Sequence, residues 1–158
     1  MTKIKAIPLV FSIGACFLAA SIGSVFTTSA IDTWYASINK PFFNPPNYVF
    51  GPVWSILYLL MAISLYIVLT NKTEKREKGM GIKYFFAQLV LNTLWSIMFF
   101  GLKSPSLAFL GILLLWAMIY LTIKDFYKIS KAAGWLLIPY LAWISFATVL
   151  NLSIVFLN

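Results

Sequence analysis

Uncharged and mostly apolar stretches occupy residues 6–31, 41–71, 84–102, 104–123 and 132–158, and every charged position falls in the gaps between them or ahead of the first. Each stretch is near or above the roughly 20 residues that a helix needs to cross a bilayer core. The pattern predicts five transmembrane helices, at about 6–26, 52–70, 82–101, 105–123 and 134–157, in one transmembrane domain covering 1–158. A loop over 27–51 separates the first two. Lys3 and Lys5 ahead of an apolar run resemble the start of a secretory signal. The run from Ala6 to Phe26 exceeds the ~7–15 apolar residues of such a signal, so it reads as a retained first helix.

Local signals refine the elements. Helix one carries Ala15, Ala19 and Gly23 at four-residue intervals, with Ser12, Cys16, Ala20 and Ser24 on an adjoining row. Small residues so spaced let another backbone approach closely, either a helix of the same bundle or a second copy. Gly51-Pro52 reads as the start of helix two, because proline is tolerated in a first turn. Gly101 to Pro105 reads as a helix stop, a cap and a proline start, making helices three and four antiparallel neighbours. Pro139 predicts a kink inside helix five.

Composition sharpens the class. Apolar residues make up 61% and charged residues 10% of the 158 positions, which inverts the balance of a soluble domain. There is no His, one Cys (Cys16), and four acids, Asp32, Glu74, Glu77 and Asp125, all outside the apolar stretches. This inventory provides no metal cluster, no acid/base pair and no nucleophile triad. With no mid-span charge, an ion-coupled transporter is also disfavoured. Five crossings put ten of the twelve basic residues on one side, leaving Lys40 and Lys103 on the other. That bias predicts an N-terminus inside a bacterial cytoplasmic membrane, with the 27–51 loop and the C-terminus outside. The net charge of +8 thus serves orientation and attraction to membrane lipid rather than nucleic acid.

The candidate chemistry is aromatic. Residues 34–58 hold four of the seven prolines, and six aromatics, Trp34, Tyr35, Phe42, Phe43, Tyr48 and Phe50, precede helix two proper. Such a segment is either an ordered lid or an interfacial aromatic belt. On helix three, Gln88, Asn92, Trp95 and Phe99 form one stripe; helix five repeats it with Tyr140, Trp143, Ala147 and Asn151, and helix two adds Trp54, Tyr58 and Met61. A buried amide needs a partner, so Gln88, Asn92 and Asn151 face inward, as interhelical glue or as anchors in a cavity. Rings from three helices favour a cavity, since they would overfill a narrow core.

Three motifs carry a family resemblance: Trp34-Tyr35, Lys40-Pro41, Pro45-Pro46 and Phe50-Gly51-Pro52-Val53-Trp54 with Leu57-Tyr58; Gln88-Leu89, Leu91-Asn92, Trp95 and Phe99-Phe100-Gly101; and Pro139-Tyr140-Leu141-Ala142-Trp143, Phe146-Ala147 and Leu150-Asn151. Together they resemble the TspO/MBR family of bacterial tryptophan-rich sensory proteins and mitochondrial translocator proteins (peripheral benzodiazepine receptors). The resemblance covers the whole chain; the fourth helix adds little beyond Trp116.

It implies an all-α integral membrane bundle of five helices with an ordered loop, usually a homodimer. The implied ligands are porphyrins such as protoporphyrin IX, isoquinoline carboxamide and benzodiazepine-type drugs, and sterols. The implied site is a cavity lined by Trp54, Asn92, Trp95, Trp143 and Ala147 under the loop around Trp34 to Pro46. With the stripes above, the ligand-binding candidates are Trp34, Tyr35, Lys40, Pro45, Trp54, Tyr58, Gln88, Asn92, Trp95, Phe99, Tyr140, Trp143, Ala147, Leu150 and Asn151, with Lys40 as a partner for a porphyrin carboxylate. The resemblance also implies light- and oxygen-dependent porphyrin breakdown with Trp54 and Trp143 as photochemical indoles, which needs no covalent cofactor and no metal; passive tetrapyrrole transport is the alternative. Two departures stand out. Phe43 replaces a frequent Trp, and residues 152–158 lack the Tyr and Lys/Arg of the sterol pattern, so sterol at that site is not expected. Leu121, Tyr127 and Lys131 fit that loose pattern elsewhere.

Overall fold

A computed structural model describes residues 4–158, with Lys75 and Glu77 described by backbone only; Lys3, counted above among the basic residues, lies outside the described part. The chain is all-α. Its elements are α1 (Ala6–Ile31), a one-turn α2 (Trp34–Ser37), α3 (Asn47–Thr70), α4 (Lys75–Ser96) running on into a π-helical turn (Ile97–Gly101), α5 (Pro105–Ile129), α6 (Lys131–Leu136) and α7 (Ile138–Leu157). Five helical segments are long and apolar enough to cross a membrane: α1, α3, α4 with its π turn, α5, and α6 with α7.

The helices form a ring in which α1 lies against α3 and α4, α4 against α5, and α5 against α6 and α7. At the basic end α6 closes the ring onto α3, where Ser64 Oγ donates to the Ala133 carbonyl at 2.7 Å. Toward the loop end α3 and α7 hardly approach each other, and side chains rather than backbones span the gap. The ring is tied shut at one end and held apart at the other, and the candidate site lies in the open part.

On α1 the small residues Ser12, Cys16, Ala19 and Gly23 are buried against the chain's own helices. A Cβ on Gly23 would come 3.2 Å from Ser96 Oγ, so the close approach is to α4. The α4–α5 turn matches its expected cap: Pro105 opens α5 and Ser104 Oγ accepts from the Leu107 N–H at 3.4 Å, while Lys103 takes the left-handed φ of 53° that the reversal requires.

Several boundaries differ from the expectation. Helix two begins five residues before Pro52, which lies inside α3 rather than in its first turn. The i−4 carbonyl that Pro52 leaves without a donor belongs to Tyr48, a highly exposed residue, so the missing bond carries little penalty. Pro139 does not bend one continuous helix: the helix breaks at Leu137, and Pro139 occupies the first turn of α7. Leu137 N–H instead donates to the Gly134 carbonyl at 3.1 Å, closing α6 with a tight turn. The 27–51 loop shrinks at both ends, since α1 continues to Ile31 and α3 starts at Asn47. The π turn had no counterpart in the sequence reading.

Candidate functional site

Between α1, α3, the end of α4 and α7 lies a cavity of about 450 Å³, within the range of small-molecule sites. Its walls include Trp54 and Tyr58 from α3, Asn92, Trp95, Phe99 and Phe100 from α4 and the π turn, and Trp143, Phe146, Ala147, Leu150 and Asn151 from α7. α5 contributes nothing to it. The exposed lining positions, Phe17, Ser21, Ser24 and Thr28 on α1 and Asn47, Gly51 and Ser55 on α3, place its mouth between these two helices.

Ten of the fifteen sequence candidates line the cavity: Tyr35, Trp54, Tyr58, Asn92, Trp95, Phe99, Trp143, Ala147, Leu150 and Asn151. Five do not. Gln88 and Tyr140 lie behind the wall in a buried chain of hydrogen bonds. Tyr58 OH donates to Asn92 Oδ1 at 2.8 Å, Asn92 Nδ2 donates to Tyr140 OH at 2.7 Å, and Tyr140 OH donates to Gln88 Oε1 at 2.9 Å. Their role is to hold Asn92 in place. Trp34 packs edge-on against Phe99 at 5.6 Å, outside the lining, and the Pro45 carbonyl accepts from Asn44 Nδ2 at 3.1 Å.

Lys40 corrects a specific expectation. Its ammonium donates to the carbonyls of Tyr35 and Ile38 at 2.7 and 3.0 Å and sits 5.1 Å from the Tyr35 ring centroid. It caps carbonyls at and just past the end of α2, a use that cations serve at helix C-termini, and it is not among the residues lining the cavity.

Over the cavity the 32–46 segment forms a built roof. Tyr35 is buried, with its ring 5.6 Å from Phe100, 6.1 Å from Phe99 and 6.5 Å from Phe50, and its hydroxyl donates to Asn44 Oδ1 at 2.6 Å. Asn39 and Asn158 pair reciprocally: Asn39 N–H donates to Asn158 Oδ1 and Asn158 Nδ2 to the Asn39 carbonyl, both at 2.9 Å. Of the loop aromatics, Trp34 and Tyr35 pack onto the helices, whereas Phe42 and Tyr48 are largely exposed.

Burial pushes the Tyr35 hydroxyl up to about 12, only partly offset by its bond to Asn44. The folded protein thus favours the neutral phenol, and the roof contribution is complete below the ordinary tyrosine value near 10 and is lost as pH rises toward about 12. Absorbance of tyrosinate at rising pH is expected to lose a late-titrating contribution near pH 12 in Tyr35→Phe; an unchanged titration in that variant would refute the assignment.

The three wall indoles differ in how they are held. Trp95 Nε1 donates to Asn151 Oδ1 at 3.1 Å, and Asn151 Nδ2 donates to the Pro105 carbonyl at 2.8 Å, so Trp95 is fixed to α7 and through it to α5. Trp54 packs 5.6 Å from Tyr58 and 6.2 Å from Tyr140, and Trp143 packs 6.1 Å from Phe50. Neither Trp54 nor Trp143 donates its N–H to a described residue. These rings span the gap between α3 and α7.

Residues 12–157 match the TspO/MBR family along nearly the whole chain. The chain belongs to the TspO/MBR family. It is 47% identical over 152 residues to the tryptophan-rich protein TspO of Archaeoglobus fulgidus, covering 95% of this chain and 96% of that one. The corresponding protein of Chlorobaculum tepidum is 42% identical over 154 residues, covering 98% of both. The human translocator protein is 38% identical over 137 residues, covering 85% of this chain and 80% of its own. With five apolar helices, this TspO/MBR member is an integral membrane protein.

The sequence reading missed the α1 wall of the cavity, where Ala20, Ser21, Ser24, Thr27 and Thr28 contribute. Ala20 and Ser24 belonged to a row read only as packing surface. A signal was present: five hydroxyls, Ser21, Ser24, Thr27, Thr28 and Ser29, within the second half of an otherwise apolar helix. Phe50, Phe100 and Phe146 were missed because phenylalanine is common in any membrane helix.

Proposed function

We propose that the protein binds planar, largely apolar ring systems, with porphyrins such as protoporphyrin IX as the best fit. The observation that carries this reading is the convergence of three indoles from three helices on one space of about 450 Å³. Flat aromatic walls stack on a macrocycle, while the exposed α1–α3 mouth lets its carboxylates reach the polar surroundings of the cavity; the mouth hydroxyls donate to carbonyls of their own helices. Lys40, held by the roof carbonyls, is not assigned as a carboxylate partner. The same cavity accommodates smaller isoquinoline carboxamide or benzodiazepine-type ligands, and the family resemblance makes a homodimer part of the proposal.

We further infer that a bound porphyrin, excited by light in the presence of oxygen, undergoes breakdown, with Trp54 and Trp143 as the neighbouring redox-active rings. A transport role is less favoured, because the buried Tyr58–Asn92–Tyr140–Gln88 chain closes the cavity off from the basic end. The orientation that places the basic end in the cytoplasm follows from the positive-inside bias and is proposed on that basis.

Titration with protoporphyrin IX should quench tryptophan fluorescence, and illumination of the complex in air should yield a new absorbing species. Trp54→Phe and Trp143→Phe are expected to slow that product more than they weaken binding. Quenching without a product would leave a receptor and remove the photochemistry, whereas absence of quenching would overturn the ligand class.

A further inference from the structure

We propose that the exposed face of α5 and the α5–α6 elbow form a binding site for one anionic glycerophospholipid in the leaflet at the basic end. Lys124, Tyr127 and Lys128 lie three and four residues apart on one exposed face of α5, and Lys131 follows at the start of α6. Gly134 lets α6 fold directly against this end: a Cβ there would stand 2.8 Å from Tyr127 Cβ and 3.0 Å from its Cα. The consequence is that Trp135, 62% exposed, lies edge-on to Tyr127, 41% exposed, with ring centroids 6.4 Å apart.

Three cations around an exposed Tyr–Trp pair match the two parts of a lipid interface. Amphipathic rings settle at headgroup depth, and lysines there attract anionic headgroups. Farther along the same face, Tyr120 and Trp116 stack in parallel at 5.8 Å and 6°. Trp116 lies eight positions before Lys124, about 12 Å along the helix, so an acyl chain can run over those rings while its phosphate rests at the lysines. Asp125, the one acid on this segment, bonds Lys128 at 2.9 Å and packs toward Gly81 of α4, off the exposed face; Lys124 and Lys131 have no acidic partner among the described residues. The other exposed cations at this end are Lys5, Lys72, Arg76 and Lys83; Tyr66, which accepts from the Lys5 N–H, and Tyr84, next to Lys83 in the chain, are only partly exposed, unlike Tyr127 and Trp135. Charge complementarity therefore selects an anionic headgroup, and the ring pair selects a lipid held at the interface over a free anion. The loose Leu121, Tyr127 and Lys131 pattern falls on this same surface.

The test is native mass spectrometry of the purified protein with limiting, equal amounts of phosphatidylglycerol and phosphatidylcholine of matched chains. Wild type should retain phosphatidylglycerol preferentially. The Lys124→Gln/Lys128→Gln/Lys131→Gln protein should lose that preference, at roughly fivefold per lysine, while Lys72→Gln/Arg76→Gln/Lys83→Gln, an equal change in charge, should keep it. Trp135→Ala, which alters no charge, should weaken retention severalfold, and excess inorganic phosphate should not displace the lipid. Equal losses in the two triple variants, an unaffected Trp135→Ala protein, or displacement by phosphate would each overturn the proposal, replacing a site by a diffuse field or by a simple anion site.

Discussion

Removing a single oxygen atom in Tyr140→Phe is expected to destabilise the bundle by about 1–3 kcal/mol, from two lost bonds at roughly 0.6–1.7 kcal/mol each in a membrane protein. Tyr140 is fully buried, and its hydroxyl has two partners: it accepts from Asn92 Nδ2 and donates to Gln88 Oε1. Phenylalanine fills the same space, so the cost is not one of packing. It arises because a buried amide N–H and a buried amide oxygen each lose a partner that no water can replace. Tyr58→Phe removes one bond of the chain, the donation to Asn92 Oδ1, and is expected to cost about half as much. Unfolding in mixed micelles by titration with sodium dodecyl sulfate measures both. A loss below that of Tyr58→Phe would show that the chain does not act as a connected unit.

The same chain explains which part of the site was legible in the sequence. Gln88, Asn92 and Tyr140 carry the helical spacing that turns them inward, and inward they are. Spacing fixes a face but not a depth along the bundle. Tyr140 stands behind Asn92 rather than beside it, about one turn nearer the start of α7 than the cavity-lining Trp143. The two explanations offered for a buried amide, glue or anchor, turn out not to exclude each other: Asn92 and Asn151 line the cavity and also join helices, whereas Gln88 only joins.

Crossings were readable because burying a charge in hydrocarbon is so costly that charges mark the gaps. Helix ends were not readable to the residue. Backbone at the interface is satisfied by helix or by water, so α3 extends outward past Pro52 and α4 starts at Lys75 within the polar connection. The roof shows a further limit. Lys40 looked like the one cation available for an acidic ligand, yet the nearest unpaired acceptors are the carbonyls at the end of α2, and local capping prevails over a distant partner. The Asn39–Asn158 pair joins positions 119 apart in sequence, a contact that no periodicity can encode.

The open end of the ring is a consequence of where the ties are. Ser64 with Ala133 and the Asn71 side chain with the Ile129 carbonyl at 3.2 Å clamp α3 onto the α5–α6 region at the basic end. Toward the loop end Phe50 meets Trp143 and Trp54 meets Tyr140, each edge-on near 6 Å, and these large rings keep α3 and α7 apart. Bulky side chains on two facing helices thus hold open the cavity between them, and the roof covers it through Tyr35 rather than through the loop prolines.

Ala147→Phe tests that vacancy and is expected to reduce protoporphyrin affinity by at least about tenfold, equivalent to about 1.4 kcal/mol, with little change in stability. Ala147 lies on the α7 wall among the cavity residues, and its small side chain leaves the space between the indoles free. Inserting a ring into a close-packed core costs about 1–3 kcal/mol through forced rotamers and backbone shifts. Inserting it into an unfilled space of about 450 Å³ adds contacts without that strain. Stability and binding must therefore move apart: unfolding in mixed micelles unchanged or slightly later, and tryptophan quenching by the porphyrin shifted to higher concentration. A variant that unfolds earlier by the overpacking amount while binding normally would mean that the wall is packed and the ligand sits elsewhere. Ala142→Phe, at an exposed position facing the outer groove between α3 and α7, supplies the control, since it adds the same ring outside the cavity and should alter neither quantity.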